Sequence, residues 1–171
     1  MKSAWLLRTD HARSSELVAE FLRQSAQAAT TEEAFRHAGE LLLQFFDADA
    51  VHLWQGEIER GRLRLLAGAG TDMQLLGDLG VEALPGFERA SVQGEPLWVE
   101  DLSAHAQQLP AAFLEARSLL VLPVVACRRT LGCLFVLYLR KSASKSTSNE
   151  LGVGLTLAHA LGFLLLAEAE K

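Results

Sequence analysis

The chain has 171 residues, half of them apolar and about a fifth charged, which suffices for one buried core without disulfides or a structural metal. Its net charge of -5, with basic residues scattered apart from Arg128-Arg129 and Arg140-Lys141, argues against a broad phosphate-facing surface, so nucleic acid is not an expected partner. The two cysteines, Cys127 and Cys133, imply no disulfide framework, and the run Ala4-Trp5-Leu6-Leu7 is too short for a secretory signal; a reducing, cytoplasmic setting is expected.

Residues 1–13 read as an N-terminal extension. From Ser14 to Ala29, Leu17, Val18, Phe21 and Leu22 recur at helical spacing between Glu16, Glu20 and Arg23, predicting an amphipathic helix. Thr30-Thr31-Glu32-Glu33 has the form of a capping box, in which the Thr30 hydroxyl accepts from the Glu33 amide while the Glu33 side chain reaches back. A second helix follows with the face Ala34, Phe35, Ala38, Leu41, Leu42, Phe45 and Phe46, closed by the turn-favouring Asp47-Ala48-Asp49.

Ala50 to Gln55 and Arg62 to Ala67 are rich in strand formers and flank a polar, glycine-bounded connection, predicting a β-hairpin. Between Gly68 and Pro96 alternation disappears; loops are expected there, with one short helix over Pro85 to Gln93. Leu97-Trp98-Val99 reads as a short strand, and His105 to Ala116 as loop and short helix. Ser118 to Ala126 and Leu131 to Leu139 are near-continuous apolar runs joined by Cys127-Arg128-Arg129-Thr130, as central strands covered on both faces require. Pro123 within the first of them predicts a bulge or an unpaired edge position.

A serine- and lysine-rich linker, Arg140 to Ser148, leads to a helix from about Asn149 to Glu168 that is apolar almost all round. Gly154, Ala158 and Gly162 fall on one stripe, where another backbone can approach closely. Its apolar stretch falls just short of the ~20 residues that span a bilayer, so a buried helix is expected, with a membrane span as the alternative.

The order helix, helix, hairpin, glycine-rich segment, short strand, helix, central hairpin, terminal helix resembles that of the GAF family. The stretch from Leu84-Pro85-Gly86-Phe87 through Gly94-Glu95-Pro96-Leu97-Trp98-Val99 to Asp101 resembles the family's central segment. Ser118 to Val124 followed by Leu131 to Leu137 resembles its core hairpin. The resemblance covers Ser14 to Glu168 and implies one domain, 14–171, of the α+β class: a PAS-like antiparallel sheet of five or six strands. The terminal helices would lie on one face and a ligand pocket, beneath the loops between Gly68 and Arg117, on the other. It further implies a sensory or regulatory domain that binds a small molecule and forms a homodimer through its terminal helices. A downstream signalling domain or protein would receive the output, and no membrane is involved.

Particular ligand classes of the family fit poorly. The cyclic-nucleotide signature includes an asparagine in the pocket, whereas the sole asparagine is Asn149, at the start of the last helix. Neither cysteine has a neighbouring histidine of the kind found in bilin-binding members, and two cysteines six positions apart do not reproduce the spacing of the free methionine sulfoxide reductases. The five histidines show no zinc-like pairing, so no metal and no identified cofactor is expected.

The residues expected to meet a ligand are His52, Trp54, Arg89, Trp98, Phe113, Arg117 and Tyr138. His52 and Trp54 share strand parity and hence one sheet face, where a planar ligand could stack, core packing being the alternative. Arg89, Arg117 and Tyr138 are candidates for polar contacts at the pocket mouth. The dimer interface is expected at Leu17, Phe21, Gly154, Leu155, Ala158, Leu161, Gly162 and Leu165. No enzyme is expected; the alternatives are a ligand-free dimerisation module and a thiol-dependent reductase.

Overall fold

The computed structural model of the chain describes residues 4–56, 61–71, 78–80, 87–105, 107, 109, 113, 115–139 and 148–171. The expected linker over 140–147, the centre of the first hairpin's connection (57–60) and the Leu84-Pro85-Gly86 start of the expected short helix lie outside the described residues.

Helix α1 (Ala4–Gln27) begins well before Ser14. The segment from Arg8 to Arg13 lacks an apolar stripe, so periodicity gives no sign of the helix there, although nothing in it breaks one. Farther along, Glu20 accepts from Arg23 and Gln24, pairs that support an exposed helix face. Helix α2 (Thr31–Phe46) starts on Thr30, whose Oγ1 accepts from the Glu33 amide at 3.1 Å. The return arm of the box differs by one residue from the expected form: Glu33 Oε2 accepts from the Ala29 amide at 2.9 Å. A cap of this type contributes about 1 kcal/mol. Thr30→Ala should therefore lower the melting temperature by about 2–4 °C, measured by circular dichroism.

Strands β1 (Ala50–Gln55) and β2 (Arg62–Gly70) form the first hairpin, with β2 running past Ala67 to Gly70. A three-residue strand β3 (Asp78–Gly80) pairs with the start of β2, inside the segment expected to be loop. Asp-Leu-Gly has no strand propensity, and only pairing with β2 makes it one. Helix α3 (Phe87–Gln93) is the described part of the expected short helix, and β4 (Leu97–Val99) follows.

β5 (Ser118–Ala126) and β6 (Arg129–Tyr138) are joined by only two residues, Cys127 and Arg128, with φ of 49° and 61°. Two successive left-handed residues make a type I′ turn, whose usual sequence is Asn-Gly. Cys-Arg carries no such signal, which is why a four-residue connection was expected.

The sheet is antiparallel throughout, in the order β3-β2-β1-β6-β5-β4. Among the described residues, six strands and flanking helices place the chain in the expected α+β class, with the β5–β6 hairpin inside the sheet. β4 pairs only with Leu119 to Val121, so Pro123 faces an edge beyond its reach and costs no ladder hydrogen bond there; a register shift follows at Val124/Val125.

One face of this sheet carries the long helices. Phe21, Phe35, Leu42, Phe46, Leu157, Ala158, Leu161 and Leu165 bury against Val51, Leu53, Leu120, Leu122, Val124, Leu134 and Val136. Helix α4 (Ser148–Ala169) lies along β5: a methyl group on Gly154 would stand 2.7 Å from Phe46 Cζ and 2.8 Å from Leu122 Cδ1, and one on Gly162 3.2 Å from Val124 Cγ1. The small-residue stripe thus admits the chain's own sheet and α2. This corrects the expected dimer interface: Phe21, Gly154, Ala158, Leu161, Gly162 and Leu165 are buried within one subunit, and only Leu17 and Leu155 keep partial exposure. Helix α4 is long and apolar enough to cross a membrane, but it is docked on β5 by one side.

Candidate functional site

The opposite sheet face is built by strand alternation from the same strands. Trp54, Cys133, Phe135, Leu137, Leu119, Val121, Leu63 and Val99 point to this side. His52 shares it, since it alternates with Leu53 and lies between Phe135 and Gly68 in register. Gly68 has no side chain, and a methyl there would come within 3.1 Å of His52 Cδ2, so this glycine leaves the imidazole its place.

Three rings form the floor. Trp54 lies 5.8 Å from Phe113 and 5.7 Å from Phe135 between centroids, and Phe113 lies 5.9 Å from Phe135 at 66°. Phe113 comes from the segment after β4, which also lays Leu102, Leu109 and Ala116 onto the sheet. A 3-10 turn over Leu102–His105 starts that segment. It is fixed by Asp101, whose Oδ1 accepts from the Ser103 hydroxyl and amide at 2.5 and 3.0 Å; these bonds hold the Asp101 carboxyl below its ordinary value. From α3, buried Ser91 sits 3.9 Å from Cys133 Sγ, while its carbonyl accepts from Thr130 Oγ1 at 2.7 Å.

Two ring nitrogens on this face are buried, His52 Nδ1 and Trp54 Nε1, and the second is a donor in every state of Trp54. Trp54 is 2% exposed, and its indole N–H is buried with no acceptor among the described residues. An unsatisfied buried donor costs about 1–3 kcal/mol, a cost that an accepting atom from outside the chain would remove.

Of the expected ligand contacts, the fold brings His52, Trp54 and Phe113 onto one face. Arg89 on α3 and Arg117 before β5 are exposed. The Arg117 backbone ties the layers together: its amide donates to the Tyr138 carbonyl at 2.7 Å and its carbonyl accepts from Leu102 at 3.0 Å. Trp98 and Tyr138 require correction, because both lie on the helix side. Leu97 and Val99 face the Trp54 side, so Trp98 between them cannot, and Leu137 excludes Tyr138 in the same way. Their rings meet 5.9 Å apart, and Tyr138 Oη donates to the Phe46 carbonyl at 3.0 Å, tying β6 to the end of α2. Phe135 and Cys133, opposite His52 and Trp54 in register, were missed; the parity that grouped His52 with Trp54 identifies them once β6 is paired with β1.

The cysteines differ sharply. Burial pushes the Cys133 thiol up to about 12, whereas Cys127 sits exposed in the β5–β6 turn. Because the thiolate is the nucleophile, Cys133 is inert at neutral pH. Iodoacetamide should modify one thiol per chain in the native protein and two after denaturation, counted by mass spectrometry. No group of three or more potential metal ligands occurs among the described residues.

A GAF domain family model matches residues 28–165. No curated protein matches the chain in sequence. Among solved structures, the GAF domain of a phosphoenolpyruvate-protein phosphotransferase from Coxiella burnetii superposes with a TM-score of 0.76 at 19% identity, over 93% of this chain and 96% of that one. The free methionine-R-sulfoxide reductase from Neisseria meningitidis, in complex with its substrate, gives 0.71 at 16% identity, over 92% and 90%. The phycocyanobilin-bound GAF domain of a cyanobacterial phytochrome gives 0.70 at 12%, over 90% and 94%. Identities this low speak for the fold alone, but the family model spans α2, the central β5–β6 hairpin and most of α4, and on that match the chain belongs to the GAF domain family.

Proposed function

We propose that this GAF domain is a regulatory module that holds a small planar molecule on the face of His52, Trp54 and Phe113 and joins a second copy through the outer sides of α1 and α4. The observation that carries the ligand reading is the buried Trp54 N–H with no acceptor among the described residues, set in an aromatic floor on the face it shares with His52. Stacking on the rings would supply affinity, and the indole would select a ligand with an accepting atom in its plane. GAF folds solved with phycocyanobilin or a substrate bound support a small-molecule role for a fold of this kind.

The dimer reading rests on apolar side chains left uncovered: Phe163 on α4 is 60% exposed and Leu22 on α1 52%. A twofold pairing would bury both. The two faces share strands: on β1, Val51 and Leu53 touch the helix core while His52 and Trp54 touch the ligand side. A ligand that prefers one arrangement of β1 therefore biases how α4 and its copy pack, which is the output a cytoplasmic signalling partner would read. The regulatory reading is preferred to a thiol-dependent reductase acting through Cys133, because that cysteine is fully buried and burial pushes its thiol up.

A ligand-free dimerisation module is the competing reading, favoured by the closeness of the three rings. Native mass spectrometry and a thermal-shift screen of heterocyclic metabolites separate the two. A hit that Trp54→Phe weakens about tenfold, with the fold intact, is the expected result. No bound mass and no hit, or hits indifferent to Trp54→Phe, would overturn the ligand reading.

A further inference from the structure

The last turn of α3 is seated on the end of the β5–β6 hairpin. Gly94, with φ of 69°, closes that turn: the Glu95 amide donates to the Ala90 carbonyl at 2.9 Å and the Gly94 amide to the Ser91 carbonyl at 3.3 Å, the paired bonds of a Schellman cap. The Ser91 carbonyl takes a second donor from outside the helix, Thr130 Oγ1 on β6, at 2.7 Å. Thr130 is the cross-strand partner of Val125 on β5, and a methyl group on Gly94 would meet Val125 Cγ2 at 3.9 Å. One pair of residues thus carries the end of α3.

The same stretch of β5 seats α4 from the other face of the sheet. A methyl group on Gly162 would stand 3.2 Å from the Val125 carbonyl oxygen and 3.3 Å from Ala126 Cβ, so α4 lies directly on this backbone. The ladder is irregular there. A register shift separates Val124 from Val125, and only Ala126 and Arg129 pair beyond it before the two left-handed residues of the turn. A bulge re-aims its residues and interrupts pairing, so the contacts on its two faces help to fix where this pair sits.

We infer that α3 and the second half of α4 are coupled through Val125 and Thr130, so that firming or loosening α3 on one face of the sheet firms or loosens α4 on the other. Val125 offers its side chain to the cap of α3 and its carbonyl to α4, and a shift that changes one contact is felt at the other. The first half of α4 is seated separately, with Gly154 against Phe46 and Leu122, and lies outside the coupled unit. The coupling stands whether or not the Trp54 face is occupied. A molecule that orders α3 would reach α4 by this route.

The test is hydrogen exchange of the intact chain, read by mass spectrometry, in Thr130→Val, which keeps the shape and removes the donor, and in Thr130→Ser, which retains the donor. The expected result for Thr130→Val is about fivefold faster exchange at 90–95 and at least about twofold faster exchange at 159–169, with 149–156 and α1 unchanged. Thr130→Ser should keep the original rates in both places. Gly162→Ala, introduced from the α4 side and shown to be folded by circular dichroism, should quicken exchange at 90–95 in turn, because coupling is reciprocal. Faster exchange confined to 90–95 would mean that Thr130 only caps α3, and a uniform rise over all helices would mean general loosening. Either result overturns the inference, as does a Thr130→Ser variant that behaves like Thr130→Val or a folded Gly162→Ala variant that leaves 90–95 unchanged.

Discussion

Gly132→Ala is expected to destabilise the chain by about 3 kcal/mol or more, a fall of roughly 6–12 °C in melting temperature for a domain of this size. Gly132 lies on β6 opposite Gln55 of β1, in the middle of the sheet. A methyl group there would overlap the Trp54 carbonyl oxygen and stand 3.1 Å from Gln55 Cα. Both obstacles are backbone, so no rotamer change relieves them, and the strands would have to separate. Gly152→Ala is the control. Gly152 lies in the first turns of α4 with open space around its Cα, and alanine should stabilise the helix there by about 0.5–1 kcal/mol. Urea denaturation of both variants checks the pair; a Gly132→Ala cost below about 1 kcal/mol would contradict the close β1–β6 approach.

Phe135→Ala should cost about 3–5 kcal/mol, the range for removing a fully buried phenyl ring. The ring is the centre of the floor, touching both Trp54 and Phe113, and its neighbours come from two different elements, so collapse into the space would be incomplete. Phe163→Ala removes the same group from an exposed position and should leave the unfolding free energy of the isolated subunit nearly unchanged. Denaturant curves at low protein concentration separate the two. A Phe135→Ala loss under about 1 kcal/mol would mean that the aromatic floor is not packed as described.

Much of this architecture was legible in the sequence because it rests on local signals. Thr30 and Glu33 mark the start of α2, and the apolar runs around Pro123 and Phe135 mark the central hairpin. What failed depended on pairing. Asp78–Gly80 is a strand only because β2 offers it an edge, and the two-residue turn at Cys127-Arg128 lacks the residues that announce one. The candidate site divided along the same line. His52 and Trp54 could be placed together by parity within one strand, but Trp98 and Tyr138 were assigned by chemical type, and the alternation of Leu97, Val99 and Leu137 puts them on the other face. The glycine stripe on α4 correctly signalled a close approach; which surface approaches is a tertiary fact, and it is β5.

Trp54 and Trp98 lie on opposite faces of one sheet, which makes their indole N–H resonances internal reporters of where a small molecule binds. The direct measurement is a proton–nitrogen correlation spectrum recorded while a compound from the thermal-shift screen is titrated in, with Trp54→Phe supplying the assignment. The account predicts that the Trp54 N–H peak moves downfield as it gains an acceptor, by more than the Trp98 peak. Binding that shifts the Trp98 peak and leaves the Trp54 peak in place would contradict it.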